Sequence, residues 1–498
     1  MPNQSARVIE RQAEASLHRY TPAIRRICVV VFCLTLALTL GQGLMRYRHE
    51  LGKTGPEFVE LNQYDALVHV TLAQRIMAGL GDTLPTTSAD GPIGSSQPAF
   101  EKAPGYPFLL AVLFRITGVG FAFFPLQCLI GGLLSVLVVL VATEAFGDPA
   151  VALFAGIAAA VHPVLVNAAS QLYNENIYFC VFFLCVWLYL RWYRNPSTRL
   201  ALLCGISAGV TALIREAVLA PFAALVLLAF VWNWRQHGMA SLKPALIMAA
   251  GFILVVAPWT FRNYVVSDGE FVPISTQGWA LVGSGNNDCV AADGWGTAFY
   301  GDDPCPSLNQ QNAALLASEH EISSTVTRAR ANATLGKRWI VSHPGAYLKL
   351  CIRRAWTVFD PVHPRQHLTG GKKLMMVMYF IVFVYTGVVG AVWVALRARK
   401  SFQITTLYAL ILAMYVPMVA LFVSHDHRFA IGIHLLLACF AGAWLAHFRA
   451  FSFVARAGRP SAAAVRPVEV GELLLKKIGG SNDAAVRETD LIGFPGNR

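Results

Sequence analysis

Charged side chains are scarce in this chain, and acidic side chains are the scarcest of them. Of 498 residues only 14% are charged, with 28 Asp and Glu against 40 Lys and Arg. A soluble globular protein usually carries about 25% charged residues, so this shortage excludes an ordinary soluble architecture. The hydrophobic share of 55% and the mean hydropathy of +0.51 instead predict a polytopic membrane protein.

Cysteine motifs for metal binding are absent from the sequence. None of the ten cysteines has a C-x-x-C or zinc-ligand spacing, and most lie inside apolar segments, where they behave as small hydrophobes. Cys289 and Cys305 differ because both lie in one polar loop. If that loop faces an oxidising compartment, the two are predicted to form a disulfide.

The first apolar run is not followed by a small-residue cleavage site, so it is predicted to be a signal anchor. The formal net charge of +12 comes largely from short basic clusters between apolar segments. Such clusters follow the positive-inside rule of membrane topology. We therefore expect a lipid bilayer as the environment and no nucleic acid as a partner.

Hydropathy predicts an all-α fold with about ten transmembrane helices between two cytoplasmic tails, residues 1–26 and the disordered residues 448–498. A first transmembrane module, 27–260, includes an external loop at 46–106. Residues 261–373 form a larger external region with an interfacial helix, and 374–447 form the last helices. The expected spans lie at about 27–45, 122–146, 149–166, 174–191, 199–214, 217–233, 243–260, 374–396, 403–423 and 429–447.

The external loop 46–106 carries ionisable residues at both of its ends. Asp65, after Tyr64, opens a helical pattern in which His69 shares its face. An aspartate before a helix is commonly an N-cap, so capping and catalysis both stay open. His69 fits a structural histidine, a hydrogen-bond partner or a metal ligand.

Glu101 and Lys102 close the same loop, before Ala-Pro-Gly-Tyr-Pro, in which the tyrosine is Tyr106. An interfacial ion pair is one interpretation. The other is a divalent-cation ligand at Glu101 and a phosphate-binding charge at Lys102. The residues alone do not decide between the two.

Further ionisable residues lie at predicted helix ends that face the same outer side. They are Glu175, Arg215 and Glu216, whereas Arg262, on the same side, could instead be an interfacial anchor beside an aromatic belt. Such groups either extend toward the interface or pair inside a polar cavity. The stretch His425–Arg428 has the composition of a metal site, yet only alternate side chains in it would converge.

These motifs, in this order and on this hydropathy profile, resemble the membrane glycosyltransferases of the protein O-mannosyltransferase and aminoarabinose transferase superfamily. The resemblance rests on Asp65, on the Glu101–Pro107 motif, and on the following elements: His162-Pro163, Glu175, Leu213-Ile214-Arg215, Pro258-Trp259 and Arg262-Asn263-Tyr264. Two positions depart from the family pattern, because Ala66 replaces an acidic residue and His69 replaces an aromatic one.

The resemblance implies a GT-C type helix bundle with juxtamembrane helices, in which the module 27–260 is catalytic. It implies transfer of a sugar from a polyprenyl phosphate to an envelope glycolipid, polysaccharide or protein, with inversion. The localisation implied is a bacterial inner membrane, with the site facing the periplasm.

The resemblance also assigns roles to individual residues. Asp65 would be the general base, and a divalent cation (Mg, Mn or Zn) would bind at Glu101, with no organic cofactor. Lys102, Arg262 and Arg215 would bind the donor phosphate. The remaining active-site candidates are Tyr64, His69, Tyr106 and Glu175.

Two other classes of protein share many of these features. A transporter or flippase of lipid-linked sugars would also need apolar helices and phosphate-binding cations, but would not need Asp65. A ligase or polymerase of lipid-linked oligosaccharides would use a related donor, and usually lacks an early-loop aspartate paired with Glu-Lys.

Overall fold

The structure is a computed structural model, and its description covers eight ranges of the chain. These are residues 4–51, 64–85, 96–117, 123–293, 325–362, 370–397, 401–421 and 427–447.

Helices dominate the described residues. The elements of the first half are α1 (Gln4–Leu51), α2 (Tyr64–Met77), β1 (Thr83–Pro85), β2 (Ser96–Pro98), α3 (Gly105–Thr117), α4 (Phe123–Phe146), α5 (Pro149–Ala160), α6 (Pro163–Ala169), α7 (Glu175–Arg194), α8 (Thr198–Ile214), α9 (Leu219–His237) and α10 (Leu242–Val266).

The second half adds shorter helices and the last apolar helices. They are α11 (Gln277–Gly285), α12 (Asp288–Asp293), α13 (Thr325–Ser342), α14 (Pro344–Thr357), α15 (Gly370–Tyr379), α16 (Thr386–Arg397), α17 (Phe402–Leu421) and α18 (Ile431–His447). Single turns of tighter or wider helix occupy Glu216–Val218, Phe380–Tyr385 and His427–Phe429.

A helix lies at each of the ten predicted spans, so the all-α polytopic fold is confirmed. Among the described residues, six helices are long and apolar enough to cross a membrane, or up to seven if the bent pair α5–α6 is one span. Three further predicted spans correspond to shorter apolar helices, at Thr198–Ile214, Glu216–Trp232 and Ile431–His447.

Several boundaries differ from the sequence-based expectation. Helix α1 begins well before its apolar span, Pro22–Arg46, and continues to Leu51. The predicted span 149–166 is two helices bent by 52°, since Pro163 lacks the N–H needed to continue the helix. Helix α10 runs to Val266, so Arg262 lies within a helix rather than in the loop after it.

The external loop 46–106 contains more structure than was predicted. Tyr64 begins helix α2, as the helical pattern indicated. After it, β1 and β2 form a two-stranded antiparallel pair in which Thr83 lies opposite Pro98. This short pair brings Asp82 and Ala99 together, because the Ala99 N–H donates to the Asp82 carbonyl at 3.0 Å.

The two ends of α7 are chemically distinct. At its C-terminal end Arg191 and Arg194 pair with the buried Glu144 at 3.2 and 3.0 Å. At its N-terminal end lies Glu175, which is 2% exposed. Glu175 and the Glu144 cluster therefore lie at opposite ends of the bundle.

Arg354 in α14 is fully buried where two helices end. Its guanidinium donates to the carbonyls of Gly285, at the end of α11, and of Ala420, near the end of α17. It also donates to Asn286 Oδ1 at 3.0 Å. A cation is favourable at helix C-termini, and burial lowers its pKa to about 10, so it stays charged at neutral pH.

Helices α8 and α10 pack at close range through glycine. A Cβ atom added at Gly251 would lie 2.6 Å from the Leu202 carbonyl oxygen and 3.1 Å from the Ile206 nitrogen. Both are backbone atoms, so the helices must separate to admit a methyl group. This contact fixes the position of α10 against α8.

Gly251→Ala is therefore expected to destabilise the protein by about 1–3 kcal/mol, as overpacking does. The measurement is thermal unfolding of the purified protein in detergent. Gly41→Ala is the matched control, since nothing lies within 4 Å of a Cβ added there. Equal melting temperatures for the two variants would contradict the proposed close packing.

Candidate active site

A strap of residues 272–278 lies across the end of α10 and joins the predicted site motifs. Three side chains of α10 donate to its backbone. They are Trp259 Nε1 to Ile274 O at 3.1 Å, Thr260 Oγ1 to Pro273 O at 2.6 Å, and Asn263 Nδ2 to Val272 O and Ile274 O, both at 3.1 Å. Trp259 and Asn263, which belong to the recognised motifs, thus hold the strap.

The strap also binds the two segments on either side of it. Thr276 donates to the Phe100 carbonyl through its backbone nitrogen at 2.6 Å and through Oγ1 at 3.1 Å. Ser275 Oγ donates to Glu216 Oε2 at 2.7 Å, and Gly278 N–H donates to the same carboxylate. Glu216 therefore lies at the N-terminus of α11, where an anion is favourable.

Lys102 is buried two residues after Phe100, with 9% of its surface exposed. Its charge is close enough to act on the Glu216 carboxylate. Beyond it, Gly105 lets the first turn of α3 approach α8, because a Cβ there would lie 2.8 Å from the Leu213 carbonyl oxygen. The Glu101–Pro107 motif is thereby fixed against the end of α8, next to Arg215.

Glu175 and Arg215 meet at this same end of the bundle. Arg215 Nη1 donates to Glu175 Oε1 at 3.3 Å. Arg428, which the sequence did not assign to the site, places its Nη1 at 3.6 Å from the same oxygen. The family motifs are thus joined to the last part of the chain.

Tyr106 lies between Glu175 and helix α2. Its ring meets His69 edge-on, with centroids 5.0 Å apart, and its hydroxyl lies 3.5 Å from Gln127 Nε2, which donates to it. Glu175 acts electrostatically on the Tyr106 hydroxyl. Two of the predicted site residues, His69 and Tyr106, are therefore in contact, and Glu175 lies nearby.

Arg262 pairs with a residue that the sequence did not indicate. Its Nη2 donates to the Asp82 carbonyl at 3.1 Å and lies 3.8 Å from the Asp82 carboxylate. The guanidinium also lies over the Trp259 ring at 4.7 Å and near that of Phe100 at 5.8 Å. Arg262 consequently lies against the ring of Phe100, two residues before Lys102 in the chain.

Some predicted residues, or their side chains, lie outside the described part of the structure. Asp65 is in the first turn of α2, one helical turn before His69, but its side chain and that of Tyr64 are not described. Cys289 is disulfide-bonded, whereas its predicted partner Cys305 lies outside the described residues. His425 and Asp426 also lie outside the described residues.

The described residues do not supply a metal-ligand set around Glu101. Within them no group of three His, Cys, Asp or Glu side chains converges on a point that could hold a metal ion. Glu101 itself is half-buried in the bend before α3. A divalent cation at Glu101 stays a prediction.

The Asp82–Arg262 pair gives a measurable pH dependence. Burial raises the pKa of Asp82 to about 6, and the charge of Arg262 opposes the rise. Asp82 binds its proton more tightly in the folded protein than in the unfolded chain. Its contribution to the free energy of unfolding is therefore largest below about pH 4 and is lost as pH rises through about 6. The shift corresponds to about 3 kcal/mol.

Thermal unfolding in detergent across pH 4–8, compared between the wild type and Asp82→Asn, measures this effect. The melting temperature of the wild type, relative to the variant, is expected to fall as pH rises to about 6 and then to become constant. Parallel curves across the whole range would contradict the raised pKa.

Comparison with known proteins identifies a family for the segment that carries most of these residues. Residues 101–261 match the family described as dolichyl-phosphate-mannose-protein mannosyltransferase. The matched segment includes Glu101, Lys102, Glu175 and Arg215, and it ends one residue before Arg262. No curated protein matches the chain.

Two solved structures of ArnT from Cupriavidus metallidurans are also similar to this chain. The structure bound to undecaprenyl phosphate is 14% identical, covers 88% of this chain and 80% of its own, and has a TM-score of 0.31. The apo structure is 15% identical, covers 78% and 74%, and has a TM-score of 0.30.

The family match confirms the resemblance predicted from the sequence motifs. The chain is a polytopic helical membrane protein that is similar, over residues 101–261, to the dolichyl-phosphate-mannose-protein mannosyltransferase family of membrane glycosyltransferases.

Proposed function

We propose that this protein transfers a sugar from a polyprenyl-phosphate donor to a hydroxyl group of a cell-envelope acceptor. The acceptor would be a glycolipid, a polysaccharide or a protein. The observation that carries the proposal is that one strap, residues 272–278, joins the segments of Lys102, Arg215 and Arg262 at one end of the bundle. Cations held at one place are what a departing phosphate requires.

Each of these cations lies beside a carboxylate that is itself fixed. Lys102 acts on Glu216, Arg215 donates to Glu175, and Arg262 pairs with Asp82. Pairing lowers the free-energy cost of keeping a cation in a partly buried site. The cations are therefore held in place before the donor binds, which reduces the reorganisation needed in the transition state.

The proposed reaction is a single displacement. Asp65 accepts the proton of the acceptor hydroxyl, and the hydroxyl oxygen forms a bond to the anomeric carbon of the sugar. The bond between that carbon and the phosphate oxygen breaks, and its electron pair leaves with the polyprenyl phosphate. The anomeric configuration is inverted because attack and departure occur on opposite faces.

Charge distribution supports an orientation for this reaction. Arg191, Arg194 and Arg199 lie at or beyond the C-terminal end of α7, and Glu175 lies at the other end. By the positive-inside rule, the arginine end is cytoplasmic and the site faces outward. In a bacterium the site would then face the periplasm from the inner membrane, with both termini in the cytoplasm.

Asp65→Asn tests the reaction and also separates catalysis from helix capping. Asparagine caps a helix about as well as aspartate, so a capping residue would tolerate this change. As the general base, Asp65 is expected to contribute about 10²–10⁴ in rate. The assay follows release of polyprenyl phosphate from a radiolabelled polyprenyl-phosphate sugar in the presence of a membrane extract as acceptor.

Asp148→Asn is the matched control, because Asp148 accepts from the Ala150 N–H at 2.8 Å and caps α5 at the opposite end of the bundle. Wild-type transfer by Asp65→Asn would reject Asp65 as the base. Translocation of the lipid-linked sugar by the wild-type protein, without any sugar transfer, would reject the enzyme and favour the flippase.

The predicted divalent cation is tested on the same assay. Dialysis against EDTA is expected to abolish transfer, and addition of Mg²⁺, Mn²⁺ or Zn²⁺ should restore it. Glu101→Gln should raise the metal concentration needed for half-maximal activity, since it removes a charged oxygen ligand. Transfer that is unchanged after EDTA would show that Glu101 has no metal-binding role in the reaction.

A further inference from the structure

The short turn His427–Phe429 brings the last part of the chain into the site. It lies between α17 and α18, far in sequence from the segment 101–261 that matches the family. All three of its side chains make contacts in the bundle. The contacts of Arg428 and Phe429 include the site residues Glu175 and Arg215.

Arg428 and Arg215 share one carboxylate oxygen. Arg215 Nη1 lies 3.3 Å from Glu175 Oε1 and donates to it, whereas Arg428 Nη1 lies 3.6 Å from the same atom. The second distance is within ion-pair range but longer than a hydrogen bond. Arg428 is therefore attracted to Glu175 by charge, and the two guanidinium groups lie on the same buried carboxylate.

Both guanidinium groups stack on aromatic rings and remain partly exposed. Arg215 lies over the ring of Phe429 at 4.4 Å, and Arg428 lies over the ring of Tyr173 at the same distance. Each arginine side chain is 16% exposed. Stacking contacts the face of a guanidinium, whereas a planar or tetrahedral oxyanion binds at its N–H edge, so the two contacts are compatible.

The position of Arg428 is fixed by its neighbour in the turn. His427 is buried, with 4% of its surface exposed, and packs on Phe380 at 5.2 Å and on His434 of α18 at 6.2 Å. An arginine on a turn anchored in this way loses little conformational entropy when it binds a ligand.

We propose that Arg428, together with Arg215, binds the phosphate of the polyprenyl donor. This inference rests on the proposed function and adds to it a residue from outside the family segment. In the bound state the phosphate oxygens accept from both guanidinium groups, and Glu175 keeps the two arginines at the required separation. Charge-assisted pairs of this kind are the stronger class of hydrogen bond.

Binding of farnesyl phosphate to the purified full-length protein in detergent micelles tests the inference without any sugar transfer. Farnesol, which has the same chain and no phosphate, is measured in parallel. Arg428→Ala is expected to weaken farnesyl phosphate binding at least tenfold and to leave farnesol binding unchanged. Arg428→Lys should give an intermediate loss, because lysine keeps the charge but not the fork.

Arg191→Ala is the matched control, since Arg191 pairs with buried Glu144 at 3.2 Å at the other end of α7. It should bind farnesyl phosphate like the wild type. If Arg428→Ala weakens both ligands equally, or if neither Arg428 variant changes phosphate binding, Arg428 is structural and the inference is wrong. If the wild type itself prefers farnesol to farnesyl phosphate, the proposed function fails as well.

Should Arg428→Ala not fold, Arg428→Lys decides the question alone. A selective loss of farnesyl phosphate binding, with farnesol binding and the melting temperature retained, supports the inference. Wild-type binding of both ligands by this variant overturns it.

Discussion

The site depends on the pairing of a buried carboxylate with arginine. Glu175 is 2% exposed, and a buried carboxylate is costly unless a cation or hydrogen-bond donors surround it. Arg215 and Arg428 supply that charge from two parts of the sequence that are about 200 residues apart. The pairing therefore requires that the last helices assemble correctly on the first ones, and it makes the site a product of the whole bundle.

The strap 272–278 is held by hydrogen bonds rather than by an ion pair. Its backbone carbonyls accept from Trp259, Thr260 and Asn263, and its hydroxyl side chains donate to Phe100 and Glu216. Buried backbone groups need hydrogen-bond partners. The polar residues of the strap meet that need, and at the same time they set the distance between the segments of Lys102 and Arg262.

Local patterns were sufficient to predict much of this architecture. Apolar runs of helical length located every span, because each span is defined by its own residues and the thickness of the bilayer. The helical pattern opened by Asp65 and the interfacial helix within 261–373 were also predicted, and they correspond to α2 and α14. The bend at Pro163 follows from the missing N–H of proline, although the sequence was first interpreted as one continuous span.

The missed residues are those whose partners are distant in sequence. Asp82 has no motif around it, and only the β1–β2 pair brings it to Arg262. Arg428 was considered only as part of a metal-like cluster with His425 and Asp426. Neither its contact with Glu175 nor the stacking of Phe429 on Arg215 follows from local spacing, because both require the folded bundle.

Helix α11 has a consequence for the dimensions of the site. It begins beside Glu216, where Ser275 and Gly278 bind the carboxylate, and it ends at Gly285, where Arg354 also binds the end of α17. Nine residues of helix span about 13 Å. The helix thus acts as a rigid spacer between the Glu216 carboxylate and the ends of α11 and α17 that Arg354 joins, so its length sets the separation of these two parts of the bundle.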